Sequence, residues 1–299
     1  MLDVAEPAVV AELAALGPGV AFWLHDRSRR VPQIHEFSEI PLKVAAYQAP
    51  LEASRSMDVL ALIREQVQRC EAIGVEILCC PEAVLGGLAD YADRAASVAI
   101  SAEGDRLNEV LAPLASDTVS TILGFTEIDR MDRLYNSAAV FHRGSVVGVY
   151  RKIHPAINRS VYEAGHEMPV FTVGALTFGI VICRDSIFPE PASVMASRGA
   201  AAIFVPTNNG LPPTKGGPEI VGEARRCDVT RATENEVAVI RADVAGRSGD
   251  LVSYGSTEIV SREGVVLGSA RPLEVDLLVA DIAVTPSGRR DTNVRRLVM

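Results

Sequence analysis

Several short apolar runs, each about as long as a β-strand, set the strongest limit on the fold of this chain. Val75–Cys80, Leu176–Ile182 and Ala201–Val205 are largely apolar, and Gly74 and Pro81 bound the first of them. Runs of this kind are typical of strands that are buried on both faces, as in parallel or mixed sheets covered by helices. They predict a layered α/β structure.

Segments with helical periodicity alternate with these runs. Apolar residues recur at helical spacing between residues 60 and 70, and Gly74 follows at the position of a C′ glycine. Pro189–Arg198 and Glu219–Asn235 are also predicted to be helical. Because strands and helices alternate along the chain, we expect an α/β fold rather than separate all-α and all-β parts.

A hairpin is predicted in the middle of the chain. Asn136–Phe141 and Ser145–Tyr150 flank the short turn His142-Arg143-Gly144. Further strands are predicted at Leu42–Tyr47, Val119–Gly124, Phe171–Val173, Val237–Ala242, Thr257–Val260, Val265–Leu267 and Leu277–Ile282.

Composition limits the class of protein. The 299 residues are 48% hydrophobic, which is enough apolar mass to form a folded core rather than a disordered chain. The net charge of −9 argues against a nucleic-acid partner, because binding to phosphate needs clustered Lys and Arg. Residues 1–40 lack the regular pattern of strands and helices that begins near residue 42, so they are predicted to be an N-terminal extension. Residues 41–299 are predicted to form one domain.

The sequence indicates neither a membrane span nor a secretory signal. It contains no apolar segment of ~18 residues, and acids at Asp3, Glu6 and Glu12 replace the basic start of a signal. The five cysteines are an odd number and do not form a disulfide framework, so we expect a soluble, cytoplasmic protein. Neither the cysteines nor the histidines have metal-ligand spacing, and no metal site is predicted.

Three chemically reactive residues come just after the ends of predicted strands, namely Glu82, Lys152 and Cys183. Sites in open α/β sheets form outside the carboxyl ends of strands, so these three side chains are expected to meet at one edge. A carboxylate can take the proton of a thiol, and an ammonium can stabilise a developing oxyanion. The backbone N–H of Arg184 is a second candidate donor to that oxyanion.

The segments around these residues resemble the three signature blocks of the nitrilase superfamily of carbon–nitrogen hydrolases. The blocks are CPEAVLGG (80–87), NSAAVFHRGSVVGVYRKIHP (136–155) and VICRDSIFPE (181–190). They occur in the family's order, and the resemblance extends over roughly residues 42–285. It also includes residues 124–127, 206–209 and 254–257.

The resemblance implies a fold and a mechanism. Glu82 is expected to be the general base, Lys152 to support the tetrahedral intermediate, and Cys183 to attack carbon and form a thioester. No metal or organic cofactor is needed for this chemistry. The implied fold is a four-layer α-β-β-α sandwich with mixed sheets, and such chains usually form homodimers.

The segment between the lysine and the cysteine departs from the pattern of many amidases. Those branches place a second glutamate a few residues before an aromatic-x-Pro-Gly motif, whereas Ala164 replaces the proline here. The slots for the acid hold Asn158, Arg159 and Ser160. Glu163 is therefore the candidate for the second glutamate, although its register is shifted.

The residue after the cysteine is usually aromatic in amidases and tryptophan in true nitrilases, but here it is Arg184. Its guanidinium could bind a carboxylate of the substrate. The alternative is a structural ion pair with Asp185 or Glu190, and the sequence favours this second interpretation.

Three other polar residues have two interpretations each. Asn208 and Asn209 follow the strand Ala201–Val205 and are either pocket residues or turn residues. His154 follows Lys152 by two residues, so it could pair with Cys183 as in a Cys–His hydrolase. A hydrogen-bonded structural histidine is the favoured interpretation.

The sequence thus predicts a metal-free hydrolase that acts on a small amide or N-carbamoyl substrate. A true nitrilase is the first alternative, and the absence of tryptophan after Cys183 disfavours it. The second alternative is a binding protein of the same fold that has no turnover, against which the intact Glu82, Lys152 and Cys183 argue. The identity of the substrate is not encoded in any recognisable motif.

Overall fold

The computed structural model describes residues 40–155 and 160–284, which belong to the compact unit Glu39–Met299. Residues 1–39 of the predicted N-terminal extension lie outside the described residues, and Ile40 is the first residue of β1. The helices are α1 (Val59–Ala72), α2 (Arg106–Leu111), α3 (Pro189–Ser197) and α4 (Glu219–Asn235). The strands are β1 (Ile40–Pro50), β2 (Ile77–Cys79), β3 (Ala99–Ser101), β4 (Ser120–Ile128), β5 (Leu134–His142), β6 (Ser145–Arg151), β7 (Tyr162–Glu163), β8 (Val170–Val173), β9 (Leu176–Ile180), β10 (Ala202–Pro206), β11 (Ala238–Ala242), β12 (Val244–Ser248), β13 (Leu251–Ser253), β14 (Glu258–Val260), β15 (Val266–Ser269) and β16 (Asp276–Val284).

The described strands form two mixed sheets. The larger sheet has the order β13-β12-β1-β2-β4-β5-β6, with β16 paired to β1, β3 to β4 and β7 to β5. The smaller sheet has the order β15-β14-β11-β10-β9-β8. The pairs β1–β2 and β2–β4 are parallel, as are β9–β10 and β10–β11, whereas the outer pairs are mostly antiparallel.

The two sheets pack face to face, and helices cover their outer faces. Along β1, Val44 and Ala46 belong to the core between the sheets, whereas Ala45 and Tyr47 pack in the cluster that contains α1. This alternation is the period of two that a strand imposes on its side chains. On the other side, α3 contacts β9 and α4 contacts β11. The result is the predicted four-layer α-β-β-α sandwich.

Local backbone geometry explains two of the connections. Arg143 and Gly144 have φ values of 48° and 78° between β5 and β6, as a tight hairpin turn with left-handed residues requires. Gly74, just beyond α1, has a φ of 73°, so it ends the helix in the left-handed conformation that glycine adopts readily. Both features agree with the sequence prediction.

No helix in the described part of the chain is long and apolar enough to cross a membrane.

Candidate active site

The three predicted catalytic residues lie in three segments that follow β2, β6 and β9. Lys152 Nζ lies 2.5 Å from Glu82 Oε1, and both side chains are almost fully buried. Cys183 is half-buried and lies within electrostatic reach of both residues. The fold therefore brings together a carboxylate, an ammonium and a thiol that are far apart in the sequence.

Glu82 is held in one orientation by three N–H donors. Asn136 Nδ2 donates to Oε1 over 2.7 Å, and the backbone N–H of Asn208 donates to Oε2 over 2.9 Å. Lys152 Nζ provides the third bond. Bonds of this kind fix the position of the carboxylate.

The segment that carries Glu82 requires a glycine on the neighbouring strand. A Cβ atom at Gly124 in β4 would lie 2.3 Å from the backbone nitrogen of Ala83 and 2.6 Å from Glu82 Cα. Ala83 itself has a φ of 45°, which marks a tight turn directly after the glutamate. Gly124 therefore permits the close backbone approach that places Glu82 at the sheet edge.

Lys152 is positioned by its backbone and charged by its neighbours. Its N–H donates to the carbonyl of Asn136 over 2.8 Å, which extends the pairing of β6 with β5 by one residue. Burial is the largest single effect and works to lower the pKa of Lys152, but the charge and hydrogen bond of Glu82 together with the charges of Cys183 and Asp185 outweigh it, so the net pKa is raised. The side chain is therefore an ammonium at neutral pH.

Cys183 occupies a strained position at the start of a 3-10 turn, Cys183–Ile187. Its φ of 46° is uncommon for a residue with a side chain and costs on the order of 1–3 kcal/mol. The buried Asp185 holds this turn, since Asp185 Oδ2 accepts the N–H of Ile182 over 3.1 Å and the hydroxyl of Tyr150 over 2.7 Å. Strain at a nucleophile persists when the surrounding contacts fix it.

The Cys183 thiol is protonated at neutral pH. Burial raises the pKa of the thiol to about 12, and the charge of Glu82 adds to this effect, while Lys152 and Arg241 partly offset it. The thiol therefore needs a base at the moment when it attacks carbon, because only the thiolate is a strong nucleophile.

The structure places both predicted asparagines against this centre. Asn208 holds Glu82 through its backbone and also donates its side-chain amide to the Glu82 carbonyl over 3.2 Å. Asn209 Oδ1 lies 4.0 Å from Cys183 Sγ. Asn209 is fixed by the buried Asp243, which accepts both its backbone N–H and its side-chain amide.

Arg184 is placed differently from the favoured sequence interpretation. Its guanidinium is exposed and lies 5.9 Å from the centre of the Phe188 ring. The carboxylate of Asp185 is fully buried and occupied by other donors, and within residues 40–155 and 160–284 Arg184 has no ion pair with Asp185 or Glu190. The predicted ion pair is therefore wrong, since the turn directs Asp185 inward and Arg184 outward.

Glu163 is exposed and does not join the cluster. It lies on β7, where the preceding residue Tyr162 takes the inward position and shares a 2.7 Å hydrogen bond with Thr126 Oγ1. Glu163 instead lies within electrostatic reach of Arg133. Asn158 and Arg159 lie outside the described residues.

His154 has the environment of the favoured interpretation, a hydrogen-bonded structural histidine. Its Nδ1 lies 3.0 Å from Asp185 Oδ1, and its ring stacks on Phe188 with the centroids 3.8 Å apart. The backbone N–H of His154 also donates to Asp185 over 2.8 Å. These contacts connect the segment after Lys152 to the turn that carries Cys183.

A cavity of about 200 Å³ adjoins the site. Asn208 lies in its wall, together with Gly86 and Gly87 from the segment that follows Glu82. Arg55 and Tyr91 supply polar groups, and the hydroxyl of Tyr91 is buried without a hydrogen-bond partner in the described residues. Across 40–155 and 160–284, no cluster of three or more His, Cys, Asp and Glu side chains is arranged to hold a metal ion.

Sequence reasoning missed three residues of this region. Asn136 fixes Glu82, Asp243 fixes Asn209, and the buried Arg241 lies within electrostatic reach of Cys183. A charged residue in the middle of an apolar strand was the available signal for Arg241. Asn136 and Asp243 gave no such signal, because polar residues near strand ends are common.

A four-layer α-β-β-α sandwich that carries an acid, an ammonium and a thiol at one sheet edge has the architecture of nitrilase-type proteins. A family model described as carbon-nitrogen hydrolase matches residues 43–287. The chain therefore belongs to the carbon-nitrogen hydrolase family.

Known proteins similar to this chain carry different activities in their names. A nitrilase from Pyrococcus abyssi is 33% identical over 58% of this chain and 63% of its own length. An N-carbamoylputrescine amidase from Solanum tuberosum is 29% identical over 49% of this chain and 54% of its own. The chain thus matches less than two thirds of the length of either relative.

The fold is also similar to solved structures. Saccharomyces cerevisiae Nit3, a member of branch 10 of the nitrilase superfamily, superposes with a TM-score of 0.68 over 83% of this chain and 92% of that protein. The sequence identity of this pair is 21%, so the likeness supports the fold.

Proposed function

We propose that this protein hydrolyses the C–N bond of a small amide or N-carbamoyl compound through a thioester on Cys183. The observation that carries the proposal is the buried contact of 2.5 Å between Lys152 and Glu82 beside the half-buried Cys183. This ion pair supplies a base and a fixed positive charge next to a thiol that is protonated before the reaction begins.

In the first half of the reaction, Cys183 Sγ attacks the carbonyl carbon and its proton passes to Glu82. The carbonyl π bond opens, and the resulting oxyanion is stabilised by the ammonium of Lys152. The N–H of Arg184 lies in the first turn of a short helix, where backbone donors lack helical acceptors, and is a second donor. Protonated Glu82 then gives its proton to the leaving nitrogen, the C–N bond breaks, and a thioester remains.

In the second half, water attacks the thioester carbon and transfers a proton to Glu82. The C–S bond breaks as the tetrahedral intermediate collapses to the carboxylic acid, or to the carbamic acid when the substrate is an N-carbamoyl compound. The Cys183 sulfur recovers its proton from Glu82. The base is thus restored to its starting state, and no redox change occurs.

Three observations bear on the substrate. The cavity of about 200 Å³ is smaller than the roughly 300–1,000 Å³ of pockets for drug-sized ligands, so it suits a compact molecule. Its lining combines apolar groups with the Tyr91 hydroxyl and Arg55, which suits a substrate with a polar end. The name of the Solanum tuberosum relative supports an N-carbamoyl compound.

Hydrolysis of a nitrile is the second candidate. It is supported by the similarity to the Pyrococcus abyssi nitrilase. The residue after the nucleophile disfavours nitrile hydrolysis, because it is Arg184 here, whereas true nitrilases have tryptophan at that position. The homodimer and the cytoplasmic location stay predictions, and five free thiols are compatible with a reducing compartment.

A screen of small amides, N-carbamoyl amino acids and nitriles tests the proposal, with ammonia release as the readout. We expect turnover of amides or N-carbamoyl compounds that Cys183→Ala lowers by roughly 10⁴-fold or more. The matched control is Cys227→Ala, which changes a half-buried thiol on α4. It should retain activity.

Residual hydrolysis by Cys183→Ala on a substrate that the parent cleaves contradicts the proposal. Consumption of nitriles but not of amides favours the second candidate. If no compound is hydrolysed, alkylation by iodoacetamide distinguishes a binding protein. Equal labelling of all five cysteines would indicate a protein of this fold without turnover, whereas selective labelling of Cys183 supports an enzyme.

A further inference from the structure

A second buried ion pair lies behind the nucleophile. Arg241 is in β11, is 2% exposed, and is surrounded in sequence by apolar residues. Its Nε donates to Asp228 Oδ2 over 2.6 Å, and its Nη2 donates to Asp228 Oδ1 over 2.5 Å. Asp228 belongs to α4, so the pair joins the outer helix to the smaller sheet.

The same guanidinium reaches both segments that form the active site. Its Nη2 donates to Ser186 Oγ over 2.9 Å, and the Ser186 hydroxyl donates to the carbonyl of Cys183 over 2.8 Å. Its Nη1 donates to Thr207 Oγ1 over 2.7 Å. The carbonyl of Thr207 accepts the backbone N–H of Glu82 over 3.2 Å.

We propose that Arg241 is a positioning residue that fixes the Cys183 turn and the Glu82 segment relative to each other. This inference rests on the proposed function, because it assigns Arg241 a role in that reaction. The guanidinium presents its donors in a rigid plane, so the bonds to Ser186 and Thr207 have fixed directions. Asp228 holds the plane itself through a bidentate pair.

The charge of Arg241 contributes as well. It lowers the pKa of the Cys183 thiol and so opposes the larger effects of burial and of Glu82. The other charged groups that act on this thiol are Lys152, which lowers its pKa, and Asp243, which raises it. Removal of the guanidinium therefore makes the thiol harder to ionise and also loosens its turn.

The test replaces the whole pair, in Arg241→Met combined with Asp228→Leu. Removal of both charges leaves no unpaired ion inside the protein, and such replacements are often tolerated. The rate of alkylation of Cys183 by iodoacetamide is measured by mass spectrometry between about pH 6 and pH 10, where the thiolate fraction controls the rate. We expect roughly tenfold slower alkylation at each pH, the factor for one pKa unit.

The matched control is Arg225→Met combined with Glu258→Leu. Arg225 on α4 also donates to a buried acid of the smaller sheet, at 2.6 Å from Arg225 Nε to Glu258 Oε2, but it does not act on the Cys183 thiol. We expect the control to alkylate at the parent rate. If the double variant at positions 241 and 228 does not fold, Arg241→Lys keeps the charge and removes the planar set of donors.

For Arg241→Lys we expect alkylation within about threefold of the parent, because the charge remains. Its kcat should fall about tenfold at unchanged KM, since the relative position of thiol and base changes. A folded double variant with the parent's alkylation profile overturns the proposal, as does Arg241→Lys with the parent's kcat. The alkylation measurements need no substrate, so a folded double variant with the parent's alkylation profile overturns the proposal even if the proposed hydrolysis fails.

Discussion

Two buried ion pairs in the part of the chain that the structure describes have equally short contacts but different surroundings. Lys152 and Glu82 face the thiol at the sheet edge, whereas Arg241 and Asp228 lie between α4 and β11. Glu82 accepts three N–H bonds in the described residues, two on Oε1 and one on Oε2, which leaves one of its roughly four acceptor positions unused. Asp228 instead accepts bonds from Nε and Nη2 of one guanidinium.

The cations differ in the same way. Lys152 Nζ donates to Glu82, and among the described residues this is its single hydrogen bond, so two N–H groups remain for an oxyanion. Arg241 uses its Nε and both terminal nitrogens. This difference agrees with the proposed roles, because an ion pair that acts on a substrate needs free hydrogen-bonding capacity, whereas one that supports a site can use all of its capacity within the protein.

The largest expected difference between the two pairs is in the effect on kcat of replacing their acids, Glu82 and Asp228. Glu82→Gln removes the base, so kcat should fall by roughly 10³-fold, within the usual range for general-base catalysis. Asp228→Asn keeps the base, and its kcat should fall about tenfold. Both substitutions leave a buried cation poorly paired and should each cost up to about 3–5 kcal/mol of stability, measured by denaturant unfolding.

This prediction fails if Asp228→Asn loses as much activity as Glu82→Gln while it remains folded at the assay temperature. Equal losses would show that the two pairs act as one catalytic unit.

The second prediction concerns stability in alkaline solution. Lys152 and Arg241 both have raised pKa values, so neither pair loses its charge as the thiols titrate. The Cys183 thiol keeps its proton up to about pH 12 in the folded protein but loses it near 9.0 when unfolded. Its contribution to stability is therefore complete below pH 9 and decreases above it.

The free energy of unfolding should decrease by at most about 1.4 kcal/mol per pH unit, and by less for a half-buried thiol. This decrease is measured by thermal unfolding of the parent and of Cys183→Ser at pH 8 and at about pH 10. The parent should lose more stability than the variant over this interval. Parallel curves would mean that Cys183 is no harder to ionise in the folded state than in the unfolded state.

A smaller effect is expected at His154, which separates the proposed mechanism from Cys–His catalysis. His154→Ala removes the ring stacked on Phe188 and one bond to Asp185, so it should lower stability by roughly 1–3 kcal/mol. Its kcat should fall about tenfold, far less than in Glu82→Ala. Losses of equal size in the two variants would favour a Cys–His mechanism.

The smallest effect is expected in the cavity. Tyr91→Phe removes a buried hydroxyl that has no partner within the described residues. We expect KM to rise about threefold to tenfold for substrates with a polar end, the range for one hydrogen bond, and kcat to stay unchanged. Acetamide, which has no polar group besides its amide, serves as the control substrate. An equal change for both substrates would place the effect at the scissile bond instead.

Elements with a strong pattern were predictable from the sequence, and short or polar elements were not. The helix Glu219–Asn235 has the predicted bounds, and the hairpin of β5 and β6 was predicted to within about two residues. The strand β12 was missed because it contains Gly246, Arg247 and Ser248, and β13 was missed because it has only three residues. The helix α2 has six residues, too few for a periodic pattern.

The same distinction applies to the residues of the candidate site. Glu82, Lys152 and Cys183 could be predicted as site residues because each follows an apolar run and lies in a recognisable block. The orientation of Arg184 depends on the turn that Asp185 fixes, and the role of Asn136 depends on the register between β4 and β5. Such contacts join residues that are distant in sequence, so no local pattern contains them.

The left-handed backbone at position 183 also affects how such a chain can change over generations. Glycine adopts this conformation without penalty, so a glycine at this position would relieve strain and remove the sulfur in one step. Selection for stability alone therefore acts against the nucleophile. A lineage in which the activity is no longer needed is expected to lose this cysteine early, while the sandwich around it persists.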